Sequence, residues 1–218
     1  MRMILKNTEK EKRKINFTHF KKYLTYKNLM IFLGSFIIIN IILGIIFYLY
    51  MNQSDKEIIN SNITNYFKIA ESYSYLENLK NSILNNIGNM SIIWILGISV
   101  IGIFIVIFIF FAETFSIGFS IASIIGAYGG KGLIGIISYL FPGKILYLIM
   151  LYIITYFAIR FSIQIIKYLF FKKDIDLRGF LKKYVKILII VIIISLVCSI
   201  LEIFVNPLMI KLFTFFLK

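Results

Sequence analysis

Few side chains in this sequence could support catalysis or bind a metal. It has one histidine, His19, and one cysteine, Cys198, so neither an intramolecular disulfide nor a two-histidine zinc site can form. The glycine-rich stretch 126–132 does not fit a phosphate-binding loop, because Gly132 stands where a magnesium-binding serine or threonine belongs. The three aspartates, Asp55, Asp174 and Asp176, lie outside the apolar stretches, which excludes an intramembrane aspartyl protease. We therefore expect no catalytic residue, no metal and no cofactor, and a protein that is not an enzyme.

A second group of residues is polar but lies inside a long apolar stretch. It consists of Tyr152, Tyr156, Arg160 and Gln164. Their spacing of four residues places them on one face of a helix. An arginine within a membrane costs about 2.5–3.5 kcal/mol and normally has a partner. Arg160 is also roughly 10 Å from the predicted cytoplasmic boundary, so its side chain can extend to the surface instead. A structural and a functional role for Arg160 both stay open.

Glu202 is the acidic residue of the last apolar stretch. It precedes Pro207 by one to two helical turns, so it is expected near the outer surface and away from Arg160. Lys144 and Lys131 are the cations predicted to be within its reach. A structural ion pair is favoured over proton transfer, because a proton relay needs several ionisable groups along one path.

Composition indicates that these residues belong to a membrane protein. The chain has 218 residues, of which 60% are hydrophobic, and its mean hydropathy is +0.89. Soluble domains are roughly 45–50% apolar. The net charge is +14, from 24 basic and 10 acidic residues. The basic residues flank apolar stretches, so they indicate orientation in a lipid bilayer and not binding to nucleic acid.

The apolar stretches predict an all-α integral membrane protein with about five transmembrane helices. The spans are about 29–50, 90–112, 114–128, 145–166 and 185–205, within a bundle over 29–206. A basic arm over 1–28 and a basic loop over 167–184 place both segments in the cytoplasm by the positive-inside rule. The C-terminus is then outside, with an interfacial tail over 207–218.

The second and third spans are predicted to form a tight hairpin. Only Glu113 and Thr114 separate them, so they mark the turn. The third span is short, and the alternative is a re-entrant segment that pairs with 132–141. Small residues recur in it every four positions, at Gly118, Ala122 and Gly126. Such a row lets helices approach closely, and we prefer helix packing to a substrate path as its role.

The outer segment 52–89 has an amphipathic helical period and predicts two short helices on the outer face. Its apolar side includes Ile59 and Ile63. Tyr66, Tyr73 and Leu76 are the candidate contacts for a partner protein. The alternative is that this apolar side rests on the protein's own surface or on lipid.

Several short segments resemble a known family when they are taken in order along the chain. They are Trp94–Gly102, Gly118–Phe119, Phe141–Pro142, Phe161–Gln164, Cys198–Phe204 and Pro207. In this order and spacing, they resemble the stage II sporulation protein M family of endospore-forming bacteria. The chain departs from the family pattern at Arg160, where a small or apolar residue is expected, and in its longer basic arm.

The resemblance implies a multi-pass protein of the bacterial inner (cell) membrane, in the mother-cell septal or engulfing membrane. It implies a non-enzymatic scaffold for forespore engulfment, with two peptidoglycan hydrolases, stage II sporulation proteins D and P, as partners. The expected partners are these hydrolases and the lipid bilayer, and not nucleic acid. The alternative function is a small channel or permease subunit that uses the polar face containing Arg160 together with Glu202.

Overall fold

The computed structural model describes residues 26–69, 75–171 and 177–217. This part of the chain is helical and contains no strand. The helices are α1 (Tyr26–Tyr50), α2 (Gln53–Ile69), α3 (Tyr75–Gly97), α4 (Gly102–Tyr128), α5 (Gly132–Tyr139), α6 (Ile145–Phe171) and α7 (Leu177–Leu217). A short 3-10 turn, Gly129–Lys131, joins α4 to α5, and a wider turn, Leu140–Lys144, joins α5 to α6.

Four helical stretches are long and apolar enough to cross a membrane. They are Lys27–Tyr50, Gly102–Tyr139, Ile145–Phe170 and Leu177–Phe216. Together with the helical content, they confirm the predicted all-α membrane fold. The first, fourth and fifth predicted spans lie within α1, α6 and α7, respectively.

The α1 and α4 helices run side by side in the same direction. The Phe36 ring stacks on the Phe110 ring with centroids 6.2 Å apart. Further along both helices, Asn40 Nδ2 donates to Thr114 Oγ1 at 2.9 Å. Because α1 and α4 are parallel, the chain between them must return along the bundle, and α3 is the helix that does so.

The position of this return corrects the predicted hairpin. The turn expected at Glu113 and Thr114 is wrong, because α4 continues through both residues. The break lies earlier, at residues 98–101, so the predicted span 90–112 divides between the end of α3 and the start of α4. The Oε1 atom of Glu113 accepts a hydrogen bond from Asn89 Nδ2 at 3.0 Å. Because the carboxylate has this partner inside the bundle, Glu113 can lie within a helix and does not need a solvent-exposed turn.

The main core lies between α1, α3, α4, α6 and α7. Its fully buried side chains include Ile93, Phe110, Leu151, Ile154 and Val191. The outer surfaces of α1 and α7 expose large apolar side chains, which suits contact with lipid. The α4 helix contacts α1, α2, α3 and α6, so it is a central helix of the bundle.

A second, smaller core lies under α2. It contains Phe67 from α2, Ile124 from α4, and Ile210 and Phe213 from α7. Both α7 residues lie beyond Pro207, where a separate interfacial tail was predicted. The α7 helix does not end at Pro207 but continues to Leu217. Burial of Ile210 and Phe213 explains why this last part stays helical and packed.

The turn between α5 and α6 has a local cause in the sequence. Phe141 has φ −100° and ψ 136°, an extended conformation. The ring of Pro142 disfavours a helical conformation at the preceding residue, so the chain bends here. The bend places Gly143 and Lys144 beside α7.

The predicted basic loop over 167–184 is helical at both ends, since α6 ends at Phe171 and α7 begins at Leu177. The middle of this loop, residues 172–176, lies outside the described residues. So do residues 1–25, which make up most of the predicted basic arm.

Candidate functional site

The end of α3 is fixed by side chains from α6 and α7, and we call this region the Gly97 junction (Trp94, Gly97, Ser162, Tyr184). Ser162 Oγ lies 2.6 Å from the carbonyl oxygen of Gly97 and 2.9 Å from that of Ser99. The Tyr184 hydroxyl donates to the carbonyl oxygen of Trp94 at 2.9 Å. The last carbonyl groups of a helix lack partners within it, so these hydroxyl groups cap α3.

Aromatic stacking and close packing complete the Gly97 junction. The Tyr184 ring stacks on the Trp94 ring at 5.3 Å and on the Phe161 ring at 4.7 Å, between centroids. A Cβ atom at Gly97 would overlap Ala158 and the Tyr184 hydroxyl. Glycine is therefore the residue that fits where α3 crosses α6. Two of the segments that carry the family resemblance, 94–102 and 161–164, meet here.

A polar cluster lies at the other end of α6, and we call it the Glu202 cluster (Ser82, Asn86, Ser199, Glu202). The Ser82 hydroxyl donates to Glu202 Oε2. Asn86 Nδ2 lies 3.4 Å from Glu202 Oε2 and 3.3 Å from Ser199 Oγ. Asn86 is buried, with 7% of its surface exposed. The carboxylate is thus held by uncharged donors of α3 rather than by the lysine partner predicted from the sequence.

Gly143 brings the start of α6 onto this cluster. A Cβ atom at Gly143 would overlap the Glu202 side chain. The Gly143 carbonyl oxygen lies 3.5 Å from the buried Cys198 Sγ. The segment 198–204, which also carries the resemblance, therefore packs directly on the turn that follows Phe141–Pro142. Cys198 fills a packing position here.

A second acidic side chain, Glu113, lies beside the next turn of α3. Asn89 Nδ2 donates to Glu113 Oε1 at 3.0 Å and lies 3.2 Å from the Tyr147 hydroxyl oxygen. Asn86 and Asn89 are three residues apart, so they share one side of the helix and reach α7 and α4, respectively. Sequence reasoning missed both, because the segment 52–89 was interpreted as lying outside the bundle. The spacing of the two asparagines next to an apolar run was the available signal.

A small cavity of about 40 Å³ opens beside Glu202. Ser138, Tyr139, Lys144 and Asn206 line it with Glu202. The Lys144 ammonium lies 5.4 Å from the centroid of the Tyr147 ring and 6.0 Å from that of the Tyr139 ring. Asn206 Oδ1 is buried and accepts no hydrogen bond from the described residues. The cavity is therefore lined by a lysine and a glutamate, and a buried acceptor without a hydrogen bond belongs to one of its lining residues.

The side chains on the polar face of α6 contact different neighbours and do not form one site. The Tyr152 hydroxyl donates to the Met30 carbonyl oxygen of α1 at 2.9 Å. Tyr156 and Gln164 are buried. Arg160 lines a separate small cavity with Lys183 and Tyr184, near the Gly97 junction. Arg160 lies in the middle part of α6, whereas Glu202 packs beside its start, and the structure does not bring them together.

The small residues of α4 face α1. A Cβ atom at Gly118 would overlap the backbone of Ile41, and one at Gly126 would overlap the Tyr48 hydroxyl. Ala122 is buried between these two positions, with 6% of its surface exposed. The short side chains therefore lie where the backbones of α1 and α4 approach most closely.

Of the three candidate partner contacts, the side chain of Tyr66 is the one that the structure describes. Tyr66 is 50% exposed on α2. Tyr73 lies outside the described residues, as does the side chain of Leu76. Within the described ranges, no three histidine, cysteine, aspartate or glutamate side chains group closely enough to hold a metal ion.

Comparison with known proteins supports the family resemblance noted in the sequence. The family model of stage II sporulation protein M matches residues 29–207, which is most of the chain. No curated protein and no solved structure matches it. The matched range contains both the Gly97 junction and the Glu202 cluster. The chain therefore belongs to the stage II sporulation protein M family, and this membership implies a role in sporulation.

Proposed function

We propose that the protein is a non-enzymatic membrane scaffold of endospore formation. It recruits or stabilises peptidoglycan hydrolases at the mother-cell septal membrane for forespore engulfment. The observation that supports this role best is the outward surface of α2. There Ile58 is 60% exposed and Tyr66 is 50% exposed, on a helix whose other side is anchored in the second core. An exposed, partly apolar surface on a fixed helix is suited to contact with a protein partner.

The anchoring of α2 makes this surface rigid. Phe67 is buried against Phe213, with ring centroids 5.0 Å apart. In the middle of α2, Asn60 Oδ1 accepts a hydrogen bond from the Tyr48 hydroxyl at 2.8 Å, which ties α2 to the end of α1. A prearranged surface loses little conformational freedom on binding, so its contacts contribute more to affinity.

The proposed orientation puts α2 on the outside of the membrane, where peptidoglycan lies. The basic residues before α1 favour a cytoplasmic N-terminus. In this orientation we propose five passes, with α3 as the return pass between α1 and α4. The surface of α2 and the Glu202 cavity lie toward the outer end of this arrangement.

Cysteine labelling in intact cells tests this orientation. In a Cys198→Ala background, Asp55→Cys places a thiol on exposed α2, and Arg178→Cys places one at the exposed start of α7. A membrane-impermeant maleimide is expected to label the first variant and not the second until the cells are permeabilised. Labelling in the opposite order would overturn the orientation.

Site-specific photo-crosslinking tests the partner. A photoreactive residue replaces Ile58 or Tyr66 on α2, and Phe104, which is 76% exposed on α4, serves as the control position. During sporulation, the α2 positions are expected to crosslink to stage II sporulation proteins D or P and the control to lipid only. Equal crosslinking of the hydrolases at all three positions, or none at α2, would contradict the scaffold.

The alternative function is a channel or permease subunit, and one observation favours it. Polar side chains from three helices lie within the bundle, namely Asn40, Asn86, Asn89 and Glu113. Polar residues at such positions can mark an ion or substrate path. Reconstituted protein that conducts ions in liposomes, with conduction lost in Glu113→Gln, would favour this function over the scaffold.

A further inference from the structure

An apolar groove lies directly beside the Glu202 cavity. It runs between α2 and α4, has a volume of about 280 Å³ and is lined in part by Ile59, Ile63 and Ile124. An apolar cavity of about 150 Å³ already stays dry and accommodates benzene. This groove therefore has room for a stretch of hydrocarbon chain against a mostly apolar lining.

The groove and the cavity share three walls. Tyr66, Phe67 and Tyr139 line both. An apolar compartment is thus adjacent to one that contains Lys144 and Glu202. A ligand that occupies both must have a hydrocarbon chain attached to a charged head group.

The polar groups of the cavity select the head group. Lys144 supplies a cation suited to a phosphate, while Glu202 and the unsatisfied Asn206 Oδ1 supply acceptors. The Ser138 hydroxyl is already used, since it lies 3.0 Å from the carbonyl oxygens of Ile134 and Met209. The complementary head group has one phosphate and one positive group that donates hydrogen bonds.

A primary ammonium meets this requirement better than a quaternary one. An ammonium group has three N–H donors, as in lysine, whereas the trimethylammonium of choline has none. Choline is commonly recognised by the faces of aromatic rings. Here the Lys144 ammonium already lies over the Tyr139 and Tyr147 rings.

We propose that this composite site binds a phosphatidylethanolamine molecule. One acyl chain lies in the groove under α2, and the phosphate contacts Lys144 outside the small cavity. The ammonium enters the cavity, whose volume of about 40 Å³ suits a group of that size, and donates to Glu202 and Asn206. The bound lipid would fill the space between α2 and α4 and so support the surface of α2. The site follows from the groove and cavity alone and does not depend on the proposed scaffold function.

Native mass spectrometry of the purified full-length chain tests the proposal. The protein is equilibrated with equal amounts of phosphatidylethanolamine and phosphatidylcholine that have the same acyl chains. We expect the ethanolamine lipid to be retained about tenfold over the choline lipid, the ratio that one well-placed charged hydrogen bond supports. Equal retention of the two lipids by the wild-type chain would overturn the proposal.

Two pairs of variants separate the two parts of the site. Ile63→Trp fills the groove and is expected to abolish retention of both lipids, whereas Ile58→Trp, exposed on the same helix, is expected to behave as wild type. Lys144→Met is expected to reduce retention of both lipids about tenfold, and Lys131→Met, at an exposed position, is expected not to. Unchanged retention in Ile63→Trp would contradict the site.

The ratio of bound ethanolamine lipid to bound choline lipid, measured in a single sample, is not affected by partial loss of folded protein. Asn206→Leu removes the unsatisfied acceptor, and we expect the ratio of the two lipids to fall toward one while lipid is still bound. A misfolded fraction reduces both signals together and leaves their ratio unchanged. An unaltered preference in Asn206→Leu would show that the ammonium is not bound where we propose.

Discussion

The Gly97 junction and the Glu202 cluster lie near opposite ends of α6 and differ in how completely their polar groups are used. At the Gly97 junction, hydroxyl groups of α6 and α7 cap the carbonyl groups of α3, and aromatic rings cover them. At the Glu202 cluster, a carboxylate and a lysine border a cavity with an unsatisfied acceptor. The first arrangement is suited to holding helices together, and the second leaves groups available for a ligand. Changes at the two places should therefore have different consequences.

The largest loss of stability is expected for Gly97→Ala. The added methyl group would overlap Ala158 and the Tyr184 hydroxyl, so the free energy of unfolding should fall by about 3 kcal/mol. Denaturation of the purified protein in mixed micelles measures this change. The matched control is Gly88→Ala on the same helix, where a Cβ atom meets nothing within 4 Å and the change should be neutral or stabilising. Similar losses in both variants would show that α3 does not pack tightly at Gly97.

A smaller loss is expected for Ser162→Ala. Removing the hydroxyl leaves the carbonyl groups of Gly97 and Ser99 without this donor, at a cost of about 1–3 kcal/mol. The same unfolding measurement applies. Ser35→Ala is its control, because the Ser35 hydroxyl is exposed and donates only within its own helix, to Phe32. If the two variants unfold alike, the capping of α3 by α6 contributes nothing to stability.

The smallest loss is expected for Glu202→Gln. The amide oxygen can still accept from Ser82 and Asn86, so only the additional strength of charged hydrogen bonds is lost, about 1 kcal/mol. Glu57→Gln, on the exposed side of α2, serves as the control and should change nothing. A loss at Glu202 as large as that of Gly97→Ala would remove the distinction between the two regions.

The sequence predicted the membrane class and the long apolar helices, because hydrocarbon thickness imposes a length that a hydropathy pattern reveals. It misplaced the turn between the second and third spans. Glu113 interrupts an apolar run and was interpreted as a turn, but Asn89 satisfies its carboxylate inside the bundle. Gly97 and Gly102 bracket the actual turn. Gly97 is required by the close packing of α6 and α7, and Gly102 by the backbone of Leu96 at the end of α3, and neither contact can be read from the sequence.

The candidate site shows the same limit. Glu202 was identified from its charge alone, but its partners were expected among the lysines. Ser82 and Asn86 hold it instead, from a segment interpreted as lying outside the bundle. Which side chains meet across helices depends on the packing register of α3 against α7, and one sequence by itself does not contain that register. The groove under α2 was beyond prediction for the same reason.

The central claim, a scaffold for peptidoglycan hydrolases, is tested most directly by a crosslinked pull-down from sporulating cells. The tagged wild-type protein is compared with the variant Ile58→Asp, on the exposed side of α2 and outside the proposed lipid site, with membrane insertion verified for both. We expect stage II sporulation proteins D and P to be enriched with the wild type and lost with the variant. Equal recovery of the hydrolases with both proteins, or enrichment of transport components in their place, would contradict the scaffold.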